Sequence, residues 1–480
     1  MSRPHWILVT LLAYQMVLVV IGVWAHRRTR DTSDFFLGGR QLGSWVAAIS
    51  ASASSSSAWT LLGVSGAAFS LGAPAVWLFP ATVCGFLINW LWVAPRLMAV
   101  SRDENALTLT EVIAGDRRDP LHPTIVRVAS GVILFSFVFY VAAQFQAAGN
   151  AFATSFHLPI ATSIVIGAAV IVLYTWLGGF WAVSVTDTVQ GLLMVGAAVV
   201  LPVAAVVAVG GPRPLWGALH AAGGEGTGGW PGPGPVWVGI AFVAGTLGIG
   251  LGYPGQPHVV NRFMALRDRA ALAQGRVIAI AWAMIIYAGT LIVGWCGRIL
   301  ISHLADGEQI FFALTDHLLT PVVAGIMIAA VLSAIMSTAD SQLLVAASSI
   351  SHDLSRTRTR QRTPVGGLAR SRWVVTMVSA LAVALALMIP DRIFSRVLFA
   401  WHAVGSAFGP VLLIRLSGRR VRSAAILSAI CCGFGLTVIF HLLPDTPADV
   451  AERLAPFVVA LAIAAGGAGA IHDHPGRHRP

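Results

Sequence analysis

Ala51-Ser-Ala-Ser-Ser-Ser-Ser-Ala-Trp59 is a run of small polar residues inside an apolar segment, between Trp45-Val-Ala-Ala-Ile49 and Leu61-Leu-Gly-Val64. Such a run is a poor stretch of lipid-facing helix. Serine hydroxyls compete for the backbone's own hydrogen bonds and have no water to bond in a bilayer core. Two readings follow. Small residues permit a tight helix crossing. Alternatively the helix is interrupted, and freed carbonyls and hydroxyls face a buried ion or solute. The surrounding chain decides between them.

The 480 residues are 56% hydrophobic and 11% charged, with a mean hydropathy of +0.78. Soluble domains carry roughly 25% charge, so the chain reads as an all-α polytopic membrane protein. Apolar windows of spanning length recur about thirteen times, near 6–25, 43–70, 74–98, 126–152, 160–177, 187–209, 236–255, 276–299, 320–350, 373–390, 394–415, 423–442 and 451–471. The first is too long for a signal-peptide core and is expected to remain as a span. All 31 basic residues are arginine. With thirteen spans and the N-terminus outside, 25 arginines fall on the cytoplasmic side and 6 outside, as the positive-inside rule requires. That asymmetry accounts for the net charge of +11 without nucleic acid. The basic run from Arg356 to Arg372 reads as a cytoplasmic loop near anionic lipid. Gly210 to Pro235 reads as an irregular external loop, and Ser302 to His317 as an external segment with a short helix. Cys84, Cys296, Cys431 and Cys432 lie in apolar segments and read as buried small hydrophobes.

A second interruption, Gly245-Thr-Leu-Gly-Ile-Gly-Leu-Gly-Tyr-Pro-Gly-Gln-Pro257, ends the seventh window as the serine run begins the second. Glycine weakens a helix and proline removes donors. Interrupted helices at matching places in two halves point to an inverted-repeat transporter. The expected division is a first helix over 1–30, a five-span repeat over 31–209, a second inverted repeat over 236–418, and two further spans with a short tail over 419–480.

In the ninth window Ala334, Ser337 and Thr338 stand at i, i+3 and i+4, on one helical face. Two hydroxyls and a carbonyl there suit a hard monovalent cation, or bonds to a neighbouring helix. Asp340 follows in the same helix, where a carboxylate must face protein or a wet cavity. It reads as a group supporting the ion site or as a structural one. Asp187-Thr-Val-Gln190 has the form of a capping box at the start of the sixth span.

Asp34-Phe-Phe-Leu-Gly-Gly-Arg-Gln-Leu42, Trp176-Leu-Gly-Gly-Phe-Trp-Ala-Val-Ser-Val-Thr-Asp-Thr-Val-Gln190, Gly250-Leu-Gly-Tyr-Pro-Gly-Gln-Pro-His258 with Arg262-Phe-Met-Ala265, and Ala334-Ile-Met-Ser-Thr-Ala-Asp-Ser-Gln-Leu-Leu344 together resemble the sodium/solute symporter family, nearest its bacterial sodium/proline symporters. The resemblance implies a LeuT-like five-plus-five core in a bacterial inner membrane, with the C-terminus cytoplasmic, working as a monomer with sodium as coupling ion. It implies a sodium site made of the carbonyls of Ala53, Ser56 and Ala334 and the hydroxyls of Ser337 and Thr338. It implies a solute region at Ser57, Trp59, Tyr140, Tyr253 and Pro257, and sodium release inward past Asp187. The solute expected is L-proline, with another amino acid or a carboxylate such as pantothenate as alternatives, and a proton as alternative driver. Departures from that pattern are Ser55, where the proline symporters carry aspartate, Ala58 in place of glycine, and Ile249 in place of tryptophan. A transporter-like sensor would need a signalling domain, and the chain ends about nine residues after the last window. An intramembrane enzyme would need a nucleophile–base pair, for which His258 and Asp340 have no suitable spacing.

Overall fold

The computed structural model describes residues 3–26, 37–177, 180–221, 235–301, 303–350, 364–389, 392–444 and 446–471. Asp34, Phe35 and Phe36, the pair Gly178-Gly179, positions 222–234, the basic stretch 351–363 and the tail 472–480 lie outside the described residues. Long apolar runs fold as helices because a helix alone satisfies its own backbone in lipid. In order these are α1 (Arg3–His26), α2 (Ser44–Ser55), α3 (Val64–Leu71), α4 (Ala73–Asp103), α5 (His122–Phe156), α6 (Ile160–Leu177), α7 (Phe180–Val209) and α8 (Val236–Gly248). They continue as α9 (Pro257–Ala265), α10 (Arg269–Leu300), α11 (Ile310–Leu318), α12 (Pro321–Ser348), α13 (Pro364–Met388), α14 (Ile393–Leu416), α15 (Ser423–His441) and α16 (Val450–Gly466).

Ten helices among the described residues are long and apolar enough to cross a bilayer. The broken α2–α3 pair, α6 and α16 fill the remaining windows as shorter or interrupted helices. Side chains are distributed as lipid requires. Leu12, Val207, Trp237, Leu381 and Met388 are each more than half exposed on the outside, while Asp187, Gln190, Arg262, Asp340 and Gln342 are at most 2% exposed within. This is a multi-pass membrane protein.

Both expected interruptions are present. α2 ends at Ser55, and Ser56 leaves helical geometry at φ −115°, ψ 79°. The chain then passes through a π-turn, Trp59–Gly63, into α3. α8 gives way to a 3-10 turn, Ile249–Gly255, and α9 restarts on Pro257, the favoured place for proline in a first turn. Glycine is required where this second break meets α14, because a Cβ on Gly255 would stand 2.8 Å from Gly405 Cα.

Several expectations are corrected. α7 starts at Phe180, two turns before Asp187, so Asp187 caps nothing and lies buried in mid-helix. The four-residue capping pattern is real, but the helix boundary is set elsewhere. Within the expected irregular loop, Pro212–Ala221 is a ten-residue helix led by proline. Arg262, one of the 25 arginines that the charge count assigns to the cytoplasmic loops and tail, is buried on α9. Cys84 and Cys431 are exposed on the outer surface, where a small thiol is tolerated by lipid, and Cys296 alone is fully buried. A short antiparallel pair, β1 (Arg419–Val421) and β2 (Ala468–Ile471), ties the two ends of the α15–α16 hairpin.

α1 runs along α7 and α12. The Tyr14 hydroxyl accepts from Ser333 Oγ at 2.8 Å and from Gln190 Nε2 at 3.4 Å, and Arg3 pairs with Asp316 at 2.9 Å.

Candidate functional site

The serine break sits where α2 is crossed by α7, α9, α10 and α12. Gly191 on α7 allows the approach, since a Cβ there would reach 3.3 Å from the Ala53 Cβ. α2 stops at Ser55, and carbonyls of its last turn face α12; that of Ala53 also accepts from the Ser56 amide at 3.1 Å. Ser337 Oγ lies 3.3 Å from the Ala53 carbonyl and 3.3 Å from the Ala334 carbonyl, and Thr338 Oγ1 donates to the Ser54 carbonyl at 3.1 Å. Ser56 is fully buried at the break, with its hydroxyl 3.4 Å from Tyr287 Oη. The structure therefore gathers Ala53, Ala334, Ser337 and Thr338 at the α2–α12 contact, with Ser56 adjoining. These oxygens belong to neutral groups, are shielded from water, and are of the type a desolvated alkali cation takes. Ser55 is turned away: its hydroxyl donates to its own Ser52 carbonyl at 2.8 Å.

One turn toward the start of α2 lies a charged cluster. Asp187 Oδ2 accepts from Ser50 at 2.7 Å, Ser54 at 3.2 Å and Arg262 Nη2 at 2.9 Å. The same Arg262 nitrogen donates to Ser341 Oγ at 2.6 Å, its Nε to Ser50 Oγ at 3.0 Å, and its Nη1 to the His258 carbonyl. Ser54 Oγ, 3.0 Å from Ser341 Oγ, connects the cluster to the Ser337–Thr338 face. Asp340 is fully buried beside Ser341, at 3.4 Å. A fully desolvated ion pair is costly to form and more costly to break, because the survivor is left as a buried charge. A cleft lined by Phe180, Asn261, Arg262, Ser341, Val345 and Ser348 reaches this cluster.

Of the expected solute-region residues, Ser57, Trp59 and Tyr140 meet directly, while Tyr253 and Pro257 lie on the other break. Tyr140 Oη donates to Ser57 Oγ at 3.3 Å, and the Trp59 amide bonds the same oxygen at 3.2 Å. The Tyr140 ring lies 6.1 Å from the His258 imidazole, which follows Pro257 at the start of α9. Tyr253 comes from the other break and contacts Phe86 at 5.3 Å and Trp401 at 4.7 Å between ring centroids. The Ile249 carbonyl accepts from the Trp401 indole at 3.2 Å.

Sequence reasoning missed the residue that joins the two breaks. Tyr287 on α10 places its hydroxyl 3.0 Å from Tyr253 Oη, 3.4 Å from Ser56 Oγ and 3.5 Å from Thr60 Oγ1. A signal existed in composition. The chain has only 5 tyrosines, and three of them, Tyr140, Tyr253 and Tyr287, are at the breaks.

Outside the spans, Glu308 sits between α10 and α11 and closes over this region. Its two carboxylate oxygens accept from the Ile393 and Phe394 amides at 3.0 and 2.7 Å, at the start of α14. Burial pushes its carboxyl above the usual range, and these two amide bonds oppose that shift. Phe394 in turn packs on Trp59, 5.6 Å between centroids.

Buried oxygens at a broken helix bind and release a stripped cation, and paired breaks with aromatic walls suit a small solute travelling with it; that is the work of a cation-coupled membrane transporter. Over residues 35–433 the chain matches the Sodium:solute symporter family, and it belongs to that family. It is accordingly a sodium-coupled symporter and not an enzyme. It is 36% identical over 448 residues to the sodium/proline symporter of Escherichia coli (strain K12), covering 90% of this chain and 87% of the relative. It is 34% identical over 444 residues to the osmoregulated proline transporter OpuE of Bacillus subtilis (strain 168), covering 90% and 88%. Its fold superposes on the substrate-bound outward-open state of a Na+-coupled sialic acid symporter with a TM-score of 0.78, over 97% of this chain and 98% of the other, at 17% identity. That last likeness is one of fold.

Proposed function

We propose that the protein imports L-proline with sodium by alternating access, working as a monomer in a bacterial inner membrane with its N-terminus outside and its C-terminus in the cytoplasm. Of thirteen spans, ten form a core of two inverted five-span repeats, 31–209 and 236–418. The observation that carries the reading is Ser337 Oγ standing 3.3 Å from both the Ala53 and the Ala334 carbonyl. Sodium takes these three oxygens together with the Ser56 carbonyl and Thr338 Oγ1. Binding draws α2 against α12, which fixes Ser57 and Trp59 opposite Tyr140. The proline ring lies against Tyr253, Trp59 and Pro257. Coupling follows because the ion binds the state in which the α2–α12 contact is closed better than the state in which it is open. Release proceeds past Asp187, with Asp340 and Ser55 beside the ion path. The names of the curated relatives support proline.

The test is uptake of labelled L-proline into proteoliposomes, with and without an inward sodium gradient. Sodium-dependent accumulation is expected. Accumulation driven by a proton gradient alone overturns the sodium site, and uptake under neither condition overturns the solute.

A further inference from the structure

Gln144 lies on α5 one helical turn after Tyr140, so the two side chains share a face. It is fully buried, and its Oε1 accepts from the Ala58 amide at 3.1 Å. Ala58 is one of the residues freed by the serine break, between Ser57 and Trp59. This bond determines which way the side-chain amide faces. An N–H must meet an oxygen, so Oε1 is directed at Ala58 and Nε2 away from it. Nε2 is buried and has no hydrogen-bond partner among the described residues. A buried amide donor left unmet costs about 1–3 kcal/mol. Such a cost is retained where a bound molecule supplies the acceptor. Trp59, the next residue along, is in the same condition: its indole Nε1 is also buried without a partner among the described residues. The Tyr140 hydroxyl is already bonded to Ser57. Next to Ala58, then, two buried side-chain donors stand open, Gln144 Nε2 and Trp59 Nε1, while the unpartnered carboxylate oxygens, Asp187 Oδ1 and Asp340 Oδ2, and the unpartnered His258 ring nitrogens belong to residues around Arg262 and Ser341.

We propose that Gln144 is a solute-contacting residue that sets specificity for a carboxylate: Oε1 holds the Ala58 amide of the broken span while Nε2 donates to a carboxylate oxygen of the solute. A carboxylate offers acceptors only, which is what an amide donor requires; an ammonium there would set donor against donor. The inference rests on the solute site proposed above and deepens it. It also separates two tasks within one side chain, since one atom holds the protein and the other reads the solute.

Two substitutions separate those tasks. Gln144→Glu keeps an oxygen for Ala58 and replaces the donor by a negative charge. Gln144→Met removes both polar atoms at similar size. Proline half-saturation and sodium half-saturation are measured in proteoliposomes, with L-prolinamide as competitor. Sodium-dependent thermal stabilisation without solute reports that each variant is folded. Both variants are expected to raise proline half-saturation about tenfold or more. Gln144→Glu is expected to leave sodium half-saturation within roughly a factor of two, and to lose the preference for proline over prolinamide. Unchanged proline half-saturation in both variants, or proline and sodium moving in parallel in Gln144→Glu, overturns the inference.

Wild type separates this failure from failure of the proline reading. If proline does not stabilise wild type but another amino acid or monocarboxylate does, the solute identity falls and the variants are scored on that solute. If no carboxylate-bearing solute stabilises wild type, the Gln144 inference falls.

Discussion

The two breaks do the same thing to a helix by opposite means. At Ser52–Ser57 the interruption is made by side chains. Hydroxyls bond to carbonyls of α2 and α12, and the break is rich in oxygen. At Gly248–Pro257 it is made by backbone. Glycines let the turn press against Gly405 on α14, prolines delete donors, and the surface left over is aromatic. The first kind of break suits an ion and the second the apolar side of a solute. Tyr287 touches both breaks, and Arg262, on the helix that restarts after the second, bonds Ser50 of the helix that ends at the first, so the two chemistries are mechanically connected.

The largest effect is expected at that connection. Replacing Arg262 by Ala leaves Asp187 buried without its counter-charge, and a loss of about 3–5 kcal/mol is expected. Thermal unfolding in detergent should show a markedly lower midpoint and uptake should vanish. Arg262→Met combined with Asp187→Leu should recover most of the stability but not the transport. An unchanged midpoint in Arg262→Ala would mean that Arg262 does not tie α9 to α2 and α7, leaving Tyr287 as the connection.

Gly255→Ala disturbs the backbone-made break alone. A Cβ 2.8 Å from Gly405 forces α14 to shift, at about 1–3 kcal/mol. Solute half-saturation should rise while that for sodium holds, and equal shifts in both would erase the division of labour. Ser337→Ala probes the other break. It removes one hydroxyl at a cost of about 1–1.5 kcal/mol, roughly a tenfold rise in sodium half-saturation, with proline half-saturation unchanged at saturating sodium. The smallest effect belongs to Ser55→Ala. Its hydroxyl bonds only within α2, so both half-saturations should stay within about 0.5 kcal/mol of wild type, roughly a factor of two. A tenfold rise for sodium would place Ser55 among the groups that hold the ion.

What was legible in the sequence was local. Serine, glycine and proline act on the backbone that carries them, so both breaks could be read from short stretches. The spacing of Ala334, Ser337 and Thr338 is likewise a property of one helix. Tyr287, Gln144 and Arg262 were not legible, because their partners on other elements lie 34 to 231 residues away along the chain. Arg262 was grouped with loop arginines, since a charge count sees position in the chain and not depth. The clue was Asp187: a carboxylate in a span needs a counter-charge. The capping pattern at Asp187 misled for the same reason. Four residues can resemble a helix start while the preceding Phe180–Thr186 is already helical.

Tyr14 gives the first helix a place in the order of assembly. Its partners, Gln190 on α7 and Ser333 on α12, are made long after it, and Asp316, which Arg3 holds, is also late. At about 5–20 residues per second, α12 follows α1 by roughly 300 residues, on the order of 15–60 s. During that interval α1 lies in lipid without its α12 partner, with Leu12, Met16 and Val20 already solvated as they will be in the finished protein. The chain's first helix can therefore enter the membrane early and dock late, and Tyr14 marks the completion of the helix that carries Ser337.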